Sequence, residues 1–153
     1  MSKLKKVLFE EYNGFSDKRL KKLDKASTFI VDDRTESDYA SDGSLYGPFC
    51  AMFANVRSEE SVGLRLSGTV ATGAKVEKWV KKHDAKQTTG LHKSMTFTVT
   101  PDDYEKLEGL ADAIESIVAP GAPHYTVPSY KYHCPRTAAS LRRLKETLAR
   151  VWE

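Results

Sequence analysis

The chain has 153 residues, a formal net charge of +3, 40% hydrophobic and 29% charged residues, and two cysteines, Cys50 and Cys134. That size and composition predict one domain over residues 1–153, with about two-thirds of the unfolded chain's surface buried on folding and no need of metal or disulfide. A collagen-like chain, a wholly disordered chain and a disulfide-stapled scaffold are excluded.

Near the N-terminus the apolar run Val7-Leu8-Phe9 is broken by Glu10 and Glu11. It falls far short of the roughly 7–15 residues of a secretory core, and no stretch approaches the ~18–20 apolar residues of a membrane span. The expectation is a cytoplasmic protein with reduced thiols and no membrane partner. Charge alternates in blocks: +4 over residues 1–30, −5 over 31–62, +5 over 63–93, −5 over 94–118 and +4 over 119–153. Such blocks either pair within the fold or segregate to different faces.

Ser16 is placed to cap a short helix over about 16–26. Thr28–Val31, β-branched and aromatic, reads as a strand. Residues 32–48 are acidic and rich in Asp, Ser, Gly and Tyr, and read as a long surface loop. Pro48–Val56 is apolar on both faces, as in a buried central strand. Leu64, Leu66 and Val70 alternate toward a core. A basic helix over 73–86, capped by Thr72, carries Val76, Trp79, Val80 and His83 on one stripe and Lys75, Lys78, Lys81, Lys82 and Lys86 around the rest. Ser94–Thr100 is the clearest strand, with Met95, Phe97 and Val99 inward. Thr100 and Pro101 are spaced as the cap and first residue of a helix. Its inner face holds Tyr104, Leu107, Leu110, Ala111, Ile114, Ile117 and Val118, and it ends at Pro120-Gly121. Residues 124–132 read as an edge strand, because Pro128 has no ladder donor. Pro135 then opens a last helix with Leu141, Leu144, Leu148 and Val151 inward. The sum is an α+β domain, in β-α-β-α-β-α order from about residue 62. Its mixed sheet of four or five strands carries three or four amphipathic helices.

Catalytic chemistry finds no complete constellation. His133-Cys134, read between a strand and a helix, sits where the helix dipole would depress a thiol pKa. The pair resembles the phosphate loop of protein tyrosine phosphatases, but Ser140 stands where that loop needs its arginine and the loop lacks glycine. Cys50, in Gly47-Pro48-Phe49-Cys50-Ala51, is similar to a papain-type nucleophile, yet a thiol enzyme also needs an adjacent His and an orienting group. Cys50, His124, His133 and Cys134 are suitable zinc ligands without zinc spacing. Gly73, at a strand-to-helix junction, lacks both phosphate-loop fingerprints. Met95–Tyr104 resembles the opening strand and helix of ribbon-helix-helix repressors, but its helix is acidic and the next helix lies too far downstream. No cofactor and no metal are expected.

The remaining pattern is cationic and aromatic. Tyr125, Tyr130 and Tyr132 interleave with His124, Lys131, His133 and Arg136, a mixture that can stack on bases and hold phosphates. Lys75, Lys78, Lys81 and Lys82 on one helix and Arg142 and Arg143 on the last helix would extend that surface. The expected function is therefore a non-catalytic accessory or regulatory protein that binds nucleic acid electrostatically, with stacking by Tyr130 and Tyr132. The alternatives are a protein-interaction module acting through loop 32–48 or homodimerisation, and a cysteine-dependent enzyme using Cys50 or Cys134.

Overall fold

In a computed structural model, the structure describes residues 3–12, 27–32, 49, 51–68, 73–87 and 93–153. Helix α1 spans Lys3–Tyr12, strand β1 Thr28–Ile30, β2 Ala51–Ser58 and β3 Ser61–Gly68. Helix α2 spans Ala74–Lys82, β4 Lys86–Gln87, β5 Lys93–Val99, α3 Lys106–Glu115 and α4 Pro128–Trp152. A 3-10 turn, Ser116–Val118, extends α3. The expected helix at 16–26, the Thr72 cap and almost all of the 32–48 loop fall outside the described residues.

The strands form a five-stranded sheet in the order β1-β2-β3-β5-β4. The α+β class and the strand number agree with the sequence reading. Among the described residues the sheet is not mixed, however: every pairing is antiparallel. The two-residue period sets which side chains meet. Ala54 lies between Phe29 and Leu64, Leu66 between Met52 and Met95, and Val62 between Val56 and Val99. These residues are buried and belong to one hydrophobic cluster. Because successive side chains alternate, the intervening residues of each strand point to the other face.

Helices cover the apolar face. Leu4 and Leu8 of α1, Val76 and Trp79 of α2, Leu107, Leu110 and Ile114 of α3, and Leu141, Leu144 and Leu148 of α4 enter the same cluster. Each fully buried leucine or isoleucine contributes roughly 1.5–3 kcal/mol relative to an exposed one. Across the layer α2 packs on α3, α3 on α4, and α4 on α1, which also meets β1. Trp79 locks α2 to its neighbours: its indole N–H donates to the Lys106 carbonyl at 3.1 Å, and its ring meets Phe97 edge-on at 5.0 Å. The start of α3 departs from the expected cap. Residues 101–105 form successive i→i+3 turns, and the Asp103 carboxylate accepts from the Thr100 N–H at 2.7 Å and its hydroxyl at 3.0 Å.

Two expectations fail at the C-terminal end. Residues 124–132 are not an edge strand, so the third β of the expected alternation is absent. Turns lead to Val127, and α4 begins at Pro128. The missing N–H that argued for a sheet edge suits the first helical position equally well, where no intrahelical acceptor is needed. Pro135 does not open the last helix; it lies inside it, exposed on the outer side. Helix α1 was not read from the sequence at all. Its only signal is Leu4 and Leu8, one turn apart on a short lysine- and glutamate-bearing segment.

Candidate functional site

The expected cationic residues fall on separate parts of the helical layer. Lys75, Lys78, Lys81 and Lys82 are exposed on the outer side of α2. Between α2 and α4 stands α3, which carries Glu108, Asp112 and Glu115. Arg142 turns toward that acidic face. Its Nε lies 3.2 Å from Glu108, a terminal nitrogen lies 2.6 Å from Asp112, and Glu115 completes the cluster. The hydrogen bond to Glu115, partly offset by desolvation, holds the guanidinium pKa above its already high ordinary value. Arg143 turns the other way, toward α1. It meets Glu11 at 3.0 Å and lies over the Tyr12 ring at 4.9 Å, and Arg150 shares Glu11 at 3.1 Å. The hydrogen bond from Arg150, opposed by partial burial and reinforced by Arg143, lowers the Glu11 pKa. The two basic helices therefore do not converge on one groove. Arg142 and Arg143 are engaged by carboxylates of neighbouring helices, and the acidic block on α3 pairs with the basic block on α4.

The turns before α4 and its first turns keep the aromatic and cationic residues together. Lys131 lies over the Tyr125 ring at 4.7 Å, and Arg136 lies over the Tyr132 ring at 4.6 Å and donates to its hydroxyl. Tyr125 and Tyr132 are 38% and 51% exposed, large values for rings of that size. On a helix, 132 and 136 are one turn apart, so this pair stands on the outer side with Lys131 and Pro135 beside it. Tyr130 is different: it packs partly against the core and stacks on His124 at 4.4 Å. His133 is buried.

Cys134 is not at a helix N-terminus. It lies in the second turn of α4, fully buried, and burial pushes its thiol pKa up to about 12. A thiol so placed stays protonated near neutral pH and is a poor nucleophile. Cys50, His92 and the residues just before Gly73 lie outside the described residues. Among the described residues no group of three or more His, Cys, Asp or Glu is gathered that could hold a metal.

The sequence reading missed the face of the sheet opposite the helices. There Phe53, Arg65, Thr96 and Lys86 form one cross-strand row, and Asn55, Gly63 and Thr98 the next. Arg65 is exposed and its guanidinium lies 4.7 Å above the Phe53 ring. Arg57 occupies a bulge between Val56 and Ser58, and its guanidinium spreads over Gly63; a Cβ there would sit 3.0 Å from the Arg57 Nε. The advance sign was Arg65, outward in the alternating strand that begins at Leu64; Arg57 and Gly63 fell outside the strands expected from the sequence. Toward β1 this face is closed, since Ile30 and Ala51 are buried.

No protein-family model matches this chain, and no curated protein or solved structure matches it either. Among the described residues, no helix is long and apolar enough to cross a membrane.

Proposed function

We propose that this chain is a non-catalytic accessory protein of the cytoplasm that binds nucleic acid electrostatically, with aromatic stacking. One observation carries this reading: two exposed tyrosines, Tyr125 in the turn before α4 and Tyr132 in its second turn, are each paired with a cation, Lys131 and Arg136. An exposed ring offers a face to a base, and the cation beside it meets the backbone phosphate. The burial of Cys134 counts against one of the two thiols considered as nucleophiles.

The test is fluorescence anisotropy with labelled oligo(dT) and oligo(U) over a range of salt concentrations. Tyr132→Ala is expected to weaken binding by ~1–3 kcal/mol, the usual worth of one stacked base. Lys131→Glu is expected to flatten the salt dependence by about one unit. Wild-type protein that binds no oligonucleotide at low salt overturns the reading. A dimer that forms with wild-type protein and is lost in Tyr132→Ala, without oligonucleotide binding, assigns the same ridge to a protein contact instead.

A further inference from the structure

The geometry points to a second binding surface: the face of the sheet opposite the helices, around Phe53, Arg57 and Arg65, is a platform for single-stranded nucleic acid. It shares the ligand class of the α4 ridge but lies on the opposite side of the sheet from the helices, and it stands on different residues.

Charge is the first argument. Among the described residues that β2, β3, β5 and β4 turn to this side, none is Asp or Glu. Arg57, Arg65 and Lys86 are exposed, and among the described residues none has a carboxylate partner. Arg142 and Arg143, by contrast, are matched by carboxylates within the fold. A cation that the fold leaves unmatched is free to meet a phosphate from outside.

Shape and chemistry supply the second argument. Phe53 stands in the middle of the sheet with the Arg65 guanidinium 4.7 Å above its ring, and both an aromatic ring and a guanidinium plane support an unpaired base. Thr96 and Thr98 flank it with hydroxyl groups that can hydrogen-bond to sugars and base edges, while the Asn55 amide donates to the Thr28 hydroxyl at 2.8 Å. Gly63 leaves room for the Arg57 guanidinium to lie flat beside this stack, because a side chain there would meet it. From β2 to β4 the row Phe53–Arg65–Thr96–Lys86 spans three strand spacings, about 14 Å, room for two or three nucleotides. A duplex keeps its base faces stacked inside, so it cannot use the ring; a single strand can.

The test uses full-length protein and labelled oligo(dT), oligo(U) and a duplex of the same length. The double variant Arg57→Glu/Arg65→Glu, whose side chains are exposed, is expected to fold as wild type by circular dichroism. It should bind both single strands at least tenfold more weakly and flatten the salt slope by about two units. Phe53→Leu keeps an apolar side chain and removes the ring; it should weaken single-strand binding by between about five- and 150-fold while leaving duplex binding unchanged. Preference between oligo(U) and oligo(dT) tells RNA from DNA. The assignment is overturned if the sheet variants bind single strands as wild type does, or if the duplex competes as well as a single strand. The first of these results, with Tyr132→Ala still defective, leaves the α4 ridge as the nucleic-acid surface. Wild-type protein that binds no oligonucleotide removes both.

Discussion

Replacing Arg142 by Gln tests how the charge blocks are used. Arg142 faces three carboxylates on α3, at positions 108, 112 and 115, and all four side chains are partly exposed, Arg142 at 34% and the carboxylates at 43–67%. At that exposure each ion pair is worth about 0.2–1 kcal/mol, and three pairs sharing one guanidinium are not additive. Removing the charge also leaves Glu108, Asp112 and Glu115 one turn apart without compensation, at a cost of about 0.2–0.5 kcal/mol per neighbouring pair. The sum is about 1–3 kcal/mol, or a fall in Tm of about 2–10 °C for a chain of this length. Half a molar salt or more, where the screening length falls to a few ångströms, should remove much of that loss. Thermal unfolding by circular dichroism at low and high salt measures the stability, and oligonucleotide anisotropy is read in parallel. Affinity is expected to stay within about twofold of wild type, because the charge is already spent inside the fold. A wild-type Tm at low salt would remove the cluster as a tie between α3 and α4. A tenfold loss of affinity would return Arg142 to the binding surface.

Two further outcomes follow from α4. Pro135→Ala should stabilise the protein by about 1–3 kcal/mol, since proline inside a helix forfeits one hydrogen bond and crowds the preceding turn. An unchanged or lowered urea midpoint would mean that the helix starts at Pro135 and that residues 128–134 are not part of it. In a Cys50→Ser background, Cys134 should resist iodoacetamide near neutral pH and react once urea unfolds the chain, because burial holds its pKa near 12. Rapid labelling of the folded protein would refute the buried position.

The elements legible in advance were those whose period has a single solution. Met95, Phe97 and Val99 alternate, and Leu107, Leu110, Ala111 and Ile114 recur every three or four residues; both sets are buried as expected. Residues 124–135 had two solutions. Tyr130 and Tyr132 alternate like a strand, but His133, Cys134, Thr137 and Ala138 also fit a helical stripe, and a proline is tolerated at either a sheet edge or a helix start. Packing against the sheet decides for the helix, because only then do Cys134 and Ala138 enter the core.

Composition and local period alone determined the α+β class, the strands around residues 28, 54, 66 and 97, the inward faces of α2, α3 and α4, and the grouping of Tyr125, Lys131, Tyr132 and Arg136. All of these depend on neighbours in the chain. Tertiary structure decided which charges cancel and which remain, since an ion pair such as Arg143 with Glu11 joins residues at opposite ends of the sequence. It also decided the make-up of the sheet face opposite the helices. Arg57, Phe53, Arg65 and Lys86 come from three strands, and only the pairing register, which no local pattern encodes, sets them side by side.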